Sequence, residues 1–265
     1  MNCKNCDKAL SGSQRYCDNC GAQIIMNRLT PKILAKQINE QFLSIDNKFL
    51  QTFIALFVKP EHVIDGYING LRKKYIGVIT YYAISLTILG FQMFLLKNFF
   101  PEFLEAKDTL FNKGFQTGIQ NSENPSKDFL DFFNNYQGVF FSILMPFLAI
   151  GTWVIYLDKG KHNYTEHLVI NLYSTAQTIY IGFIFYLLLA AFKIQDYLTA
   201  SLIVAPPTIL YGTYVFKRIY KSSFIKSIIR YIAAYTIYTI IFSIMMAIIM
   251  VVLIAYLFAT GKLKL

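Results

Sequence analysis

Five stretches of this chain, roughly residues 75–96, 138–157, 167–192, 197–216 and 229–258, stay apolar over about the twenty residues a helix needs to cross the hydrocarbon core of a bilayer. Lipid offers the backbone no hydrogen-bond partners, so such stretches must be helices that satisfy their own amides and carbonyls. Composition points the same way. Hydrophobic residues make up 55% of the chain, charged residues 15%, and mean hydropathy is +0.43, a balance that a soluble domain of this length would struggle to carry. The expected fold is an all-α integral membrane protein: a five-transmembrane-helix bundle over residues 75–265, with a loop at about 98–137.

The formal charge of +10 raises nucleic acid as a partner, but the basic residues gather beside the ends of the apolar stretches. Arg72, Lys73, Lys74, Lys159, Lys161, Lys217, Arg218, Lys221, Lys226 and Arg230 put ten on one side of the expected bundle. Lys97, Lys107, Lys113, Lys127, Lys193, Lys262 and Lys264 put seven on the other, where the 98–137 loop is net acidic. Such a bias sets membrane orientation, and it places the N-terminus in the cytoplasm and the C-terminus outside. No nucleic-acid partner is expected, since residues 1–23 carry a net charge of only +1. No apolar run precedes a cleavage-type site near residue 1, so the first span is expected to direct insertion into the cytoplasmic (inner) membrane.

All four cysteines lie in the first twenty residues, as Cys3-Lys4-Asn5-Cys6 and Cys17-Asp18-Asn19-Cys20 followed by Gly21. Two CxxC knuckles ten residues apart offer four thiolates to one tetrahedral ion, the pattern of a small zinc ribbon over residues 1–23. One structural zinc ion is the expected cofactor. Four thiolates leave no open position for a substrate water, and the spacing fits ligands in a reducing compartment better than disulfides.

Residues 24–74 read as amphipathic helices. Thr30-Pro31 gives a cap followed by proline at the first helical position, and an apolar stripe runs through Leu34, Ile38, Phe42, Ile45, Phe49, Phe53 and Leu56 with a break near Asp46. A second segment after Lys59-Pro60 carries Ile64, Tyr67, Ile68 and Leu71. Both segments can lie at the membrane surface or pack on the cytoplasmic face of the bundle.

The third span has a polar flank. At helical spacing, His167, Asn171, Ser174 and Thr178 form one row, and Glu166, Tyr173 and Gln177 the next. Polar side chains in a membrane helix face other helices or water, so this row is either helix–helix glue or a transport or catalytic site. Pro146 in the second span and Pro206 with Pro207 in the fourth are candidate helix breaks, and residues 146–154 echo 207–215. The echo suggests either parallel repeats or ordinary small-residue packing. No HExxH, GxSxG, Walker or GxGxxG pattern occurs, so a catalytic role is not expected.

Taken in order, several motifs resemble a family of uncharacterised bacterial multi-pass membrane proteins with an N-terminal zinc ribbon. They are Tyr16-Cys17-Asp18-Asn19-Cys20-Gly21, Thr30-Pro31, Phe49-Leu50-Gln51-Thr52, Lys59-Pro60, the run Tyr67 to Tyr75, and Glu166-His167-Leu168-Val169. A looser similarity, in span count and orientation, is to Yip1-type five-span membrane proteins. The resemblance implies the fold and topology above and no activity. The parts argue for a non-enzymatic membrane adaptor or assembly factor. Its ribbon would dock a protein partner while its spans sit in the lipid bilayer. The alternative is a small transporter, channel or lipid-handling protein that uses the polar flank of the third span.

Overall fold

A computed structural model describes residues 2–11, 14, 16–22, 24, 48–104, 136–192 and 197–259, and the chain divides into two compact units, Met1–Asn47 and Lys48–Leu265. The helix start at Thr30-Pro31, the stripe from Leu34 to Ile45 and most of the 98–137 loop lie outside the described residues.

In the second unit the described elements are all helical. They are α1 (Lys48–Val58), α2 (Pro60–Ile68), α3 (Val78–Phe99), α4 (Pro101–Leu104), α5 (Gln137–Ile155), a 3-10 turn Leu157–Lys159, α6 (Tyr164–Ala191), α7 (Tyr197–Tyr220) and α8 (Phe224–Ala259). Five of them, α3, α5, α6, α7 and α8, are long and apolar enough to cross a membrane. They coincide with the five expected stretches, with ends displaced by a few residues.

Helix α6 is the hub, packed against α3, α5 and α7, while α8 closes on α5 and α7. Tyrosine hydroxyls zip α3 to α6. Tyr173 donates to the Ile76 carbonyl at 2.7 Å, Tyr180 to the Tyr81 carbonyl at 3.1 Å, and Tyr81 to Gln177 Oε1 at 2.5 Å. Pairing spares these three hydroxyls the desolvation cost that an unpaired buried hydroxyl carries. Two glycines let α8 approach. A Cβ on Gly151 would stand 2.6 Å from the Ala234 carbonyl oxygen, and one on Gly212 would run into the Tyr231 ring and hydroxyl. Close approach through small residues is the usual way that membrane helices gain contact.

Helix α1 docks along the bundle instead of presenting a polar face to water. Thr52 and Leu56 are fully buried, and Phe49 and Phe53 pack edge-on against Tyr180. The α1 carbonyls are met by side chains from α6 and α7: Gln177 donates to Phe53 O, Tyr211 to Leu56 O and Tyr214 to Val58 O. The outer flank, Leu50, Ile54 and Val58, is apolar and more than half exposed. Helix α2 continues alongside α7, where Arg218 holds Glu61 through two hydrogen bonds, at 3.0 and 2.5 Å.

Pro146 lies inside α5, and Pro206 with Pro207 inside α7. The Pro146 carbonyl accepts from the Tyr164 hydroxyl at 3.4 Å, and Thr208, one residue past the proline pair, donates to the Ala205 carbonyl at 2.8 Å. Both helices run on through their prolines, so the candidate breaks at Pro146, Pro206 and Pro207 do not end a helix, and neighbouring polar side chains engage backbone carbonyls there.

Candidate functional sites

In the first unit the two CxxC segments fold into the same turn. The Cys3 amide donates to Lys8 O and the Asp7 amide to Cys3 O; fourteen residues on, the Cys17 amide donates to Ala22 O and the Gly21 amide to Cys17 O, all at 2.9 Å. The residue after each second cysteine is left-handed, with φ 56° at Asp7 and 71° at Gly21. Glycine accepts that conformation freely and aspartate tolerates it. The four Sγ atoms lie within 4.8 Å of one another, with Cys3–Cys20 and Cys6–Cys17 each at 3.6 Å. A tetrahedral ion with bonds of about 2.3 Å to sulfur needs edges of about 3.8 Å, so these thiols fit one metal ion. Lys8 bridges to Asp18 at 2.8 Å, tying one turn to the other and holding the Asp18 carboxyl below its usual range.

The polar flank of α6 separates into distinct environments. Glu166 closes a capping box: Asn163 Oδ1 accepts from the Glu166 amide at 2.9 Å, and Glu166 Oε2 accepts from the Asn163 amide at 2.8 Å. His167 and Asn171 converge on Thr152 of α5. Gln177 turns to Tyr81 and α1, while Ser174 is buried, its hydroxyl without a hydrogen-bond partner among the described residues. Thr178 donates to the Thr175 carbonyl and lines a hollow described below.

His167 belongs to a longer chain of contacts. Its Nδ1 lies 3.2 Å from Thr152 Oγ1, which accepts from Asn171 Nδ2 at 2.7 Å; its Nε2 lies 2.8 Å from the Tyr220 hydroxyl. Tyr220 is in turn 3.2 Å from His162 Nδ1, and His162 Nε2 is 3.3 Å from Asp65 Oδ1 on α2. Lys161 pairs with the other Asp65 oxygen at 2.9 Å and also donates to the Ile219 carbonyl, satisfying the end of α7. Burial pushes the Asp65 carboxyl up, but His162 and Lys161 outweigh it and hold the group below the usual range. Tyr156 stacks on Tyr220 at 4.3 Å, and the Arg230 guanidinium, paired to Asp158, lies 5.3 Å from the centre of the Tyr156 ring. Both ring nitrogens of His167 are occupied by hydrogen bonds, which leaves the ring no free lone pair for a metal.

Tyr220, His162, Asp65 and Thr152 were not legible as site residues. The links from Tyr220 to His167 and to His162 join positions 53 and 58 residues apart, and Asp65 lies further still from His162 along the chain. The Asn163–Glu166 cap did have a local signal, an Asn-x-x-Glu step before an apolar run.

The described residues of all five long helices line a hollow of about 460 Å³. It begins beside Leu148 and Tyr231 and extends towards Gln137 and Tyr197, at the end of the bundle away from the 156–163 turn. Its exposed wall is mostly apolar, but it also carries the carboxamides of Gln92 and Gln137, the hydroxyls of Thr175, Thr178, Ser201 and Thr208 and several tyrosines, with no charged side chain among the lining residues. A second hollow of about 400 Å³ between α3 and α5 shares Leu89 and Gln137 with it.

No curated protein matches this chain. No solved structure matches it either. Residues 46–90, which take in α1, α2 and the first half of α3, match the model of a protein family of unknown function (DUF3667), so the chain is similar in that segment to an uncharacterised family.

Proposed function

We propose that this multi-pass membrane protein binds and moves an uncharged amphiphile, a lipid-like molecule with an apolar body and a hydrogen-bonding head. The observation that carries this reading is the hollow lined by all five long helices. Its volume falls in the range of small-molecule sites, and a mostly apolar wall that also presents hydroxyls and the Gln92 and Gln137 carboxamides suits an apolar body oriented by an uncharged hydrogen-bonding head. An ion path would call for charged side chains or rings of carbonyls, and the lining has no charged group. The adjoining hollow between α3 and α5, which shares Leu89 and Gln137 with it, would be its route of entry in this reading.

The test is extraction of bound small molecules from purified full-length protein, followed by movement of a labelled lipid in proteoliposomes. Wild type should carry an amphiphile, and Gly182→Leu, which projects a side chain into the hollow, should lose it at unchanged folding. A wild type with no bound amphiphile and no lipid movement would sink the reading.

A second reading has its own support in the cysteine unit. A closed four-thiolate set favours structural zinc over catalysis, and a small metal-held turn pair is a common docking module. In this reading the chain is a non-enzymatic inner-membrane adaptor, oriented with its N-terminus in the cytoplasm as the basic bias suggests. Crosslinking in cells, comparing wild type with Cys17→Ser/Cys20→Ser at matched membrane abundance, tests it. Identical partners in both, or none in either, would remove this role.

A further inference from the structure

We propose that the chain Asp65–His162–Tyr220–His167–Thr152 is a one-proton site, in which protonation of His162 reverses every hydrogen bond as far as Thr152 and moves the ring proton of His167 from Nε2 to Nδ1. The proposal rests on the proton count along these five groups and does not depend on what the hollow holds.

With Lys161 beside it, Asp65 is ionised, so the His162 nitrogen facing it, Nε2, carries a hydrogen. In neutral His162 the other nitrogen, Nδ1, is then a bare acceptor. Tyr220 stands between two ring nitrogens with a single hydroxyl proton, so it gives that proton to His162 and accepts from His167 Nε2. His167 Nδ1 is left as an acceptor and takes the Thr152 hydroxyl proton, while Thr152 oxygen accepts from Asn171. Every hydrogen points towards Asp65.

Adding one proton from water to His162 makes both of its nitrogens donors. Tyr220 oxygen must now accept from His162, and the hydroxyl hydrogen has only His167 Nε2 to go to. That nitrogen must be bare, so the Nε2–H bond of His167 breaks, its proton passing to water, while a proton from water forms the Nδ1–H bond that donates to Thr152. The Thr152 hydroxyl turns to the Ala149 carbonyl, already 3.1 Å away. The exchange at His167 balances, so the net change is one proton taken up at His162, and His167 stays neutral. From His162 Nδ1 to Thr152 each donor meets an acceptor in either state, and His162 Nε2 keeps its 3.3 Å ion-pair contact with Asp65, whereas a half-reversed chain would leave a hydroxyl unpaired or set two donors against each other.

The charges around His162 leave it as the group that takes the proton. Asp65 faces it from α2. Lys161 adjoins it in the turn, but its ammonium is committed to Asp65 and the Ile219 carbonyl. Glu166 of α6 is held in the cap, Arg218 of α7 is paired with Glu61, and Arg230 of α8 with Asp158. The His167 and Tyr220 rings stand edge-on to the His162 ring. The outcome is felt at Thr152, where α5 meets α6, so the proton reaches a helix–helix contact inside the bundle.

The test uses full-length protein in lipid nanodiscs with 15N-labelled histidine. The chain has three histidines, and His62→Gln removes the one outside the network. Titration should show His162 becoming doubly protonated and, at the same midpoint, His167 passing from the Nε2–H to the Nδ1–H neutral form. Tyr220→Phe keeps the ring and should leave the His167 tautomer constant while His162 titrates. Asp65→Asn should move both midpoints together and by the same amount. A wild-type His167 whose tautomer never changes, or which itself becomes doubly protonated at the His162 midpoint, would overturn the proposal. So would unaltered coupling in Tyr220→Phe, or midpoints that separate in Asp65→Asn.

Discussion

The cysteine unit and the helical unit each contain a sequence repeat, and the two repeats behave differently. In the cysteine unit the fourteen-residue offset is kept atom by atom: the same two backbone hydrogen bonds and the same left-handed residue recur in both turns. In the helical unit, residues 146–154 and 207–215 repeat in sequence, yet only the glycines keep a common role. Gly151 and Gly212 both admit α8, whereas Thr152 is bonded to His167 and Asn171 and the equivalent Thr213 hydroxyl is buried without a hydrogen-bond partner among the described residues. A metal ion would ask the same geometry of each of its ligand pairs. Helix packing asks only that each residue suit its own neighbour, so a repeated sequence can serve different ends.

The sharpest way to break the comparison is to remove what holds the cysteine unit. Its described buried core is Cys3, Leu10 and Cys17, too little apolar surface to fold alone. Chelation, or Cys17→Ser, should unfold residues 2–24 completely, since metal binding in such sites supplies about 10–16 kcal/mol. Limited proteolysis and the melting curve read the two units separately, and the bundle should melt as before. A cysteine unit that stays protected without metal would mean that the thiol geometry is not its support.

In the bundle the corresponding insult is steric and smaller. Gly212→Leu and Gly151→Leu should each cost about 1–3 kcal/mol by forcing α8 away from its neighbours. Gly90, beside which a Cβ would meet nothing within 4 Å, is the control, and Gly90→Ala should stabilise α3 by up to about 1 kcal/mol. Equal effects at all three positions in the melting curve would show that close approach by α8 is not what the glycines provide.

These contrasts also explain what was legible. The five spans could be read because an apolar run of span length has few alternatives, and the cysteines because ligand spacing is local. The α1 stripe was visible, but its docking was not: Leu56 and Phe53 are covered by Tyr211 and Tyr180, which lie more than a hundred residues away. The polar row on α6 was recognised as a row and then divided by its surroundings, because Glu166 satisfies its own helix end while His167 faces residues from two other segments. A helical wheel records angle on one helix and says nothing of which neighbour stands there.

The α6 cap gives a third, smaller effect. Asn163→Ala removes the acceptor for the Glu166 amide and should cost about 1 kcal/mol, read from the melting curve, with the His167 contacts intact. Acid should act more gently. The Arg218 hydrogen bonds hold the Glu61 carboxyl below its usual range, so this pair stabilises the fold above the unfolded carboxyl pKa of about 4.3, and the contribution fades as pH falls through the lower folded value. Melting temperature should therefore drop by about two degrees more in wild type than in Glu61→Gln between neutral pH and the acid limb. An identical drop in both would show that the pair contributes nothing.

The smallest effect tests whether the two cysteine turns are equivalent. Asp7 and Gly21 occupy the same left-handed position, and only glycine does so without steric cost. Asp7→Gly should therefore make the first turn resemble the second and tighten metal binding by about two-fold, measured by competition with a chelator of known affinity. Gly21→Asp should weaken it by a similar factor, because no neighbouring atom obstructs the new side chain and only the backbone conformation opposes it. If both substitutions weakened binding, Asp7 would be supplying something besides its backbone angle, and the two turns would be alike in shape but not in chemistry.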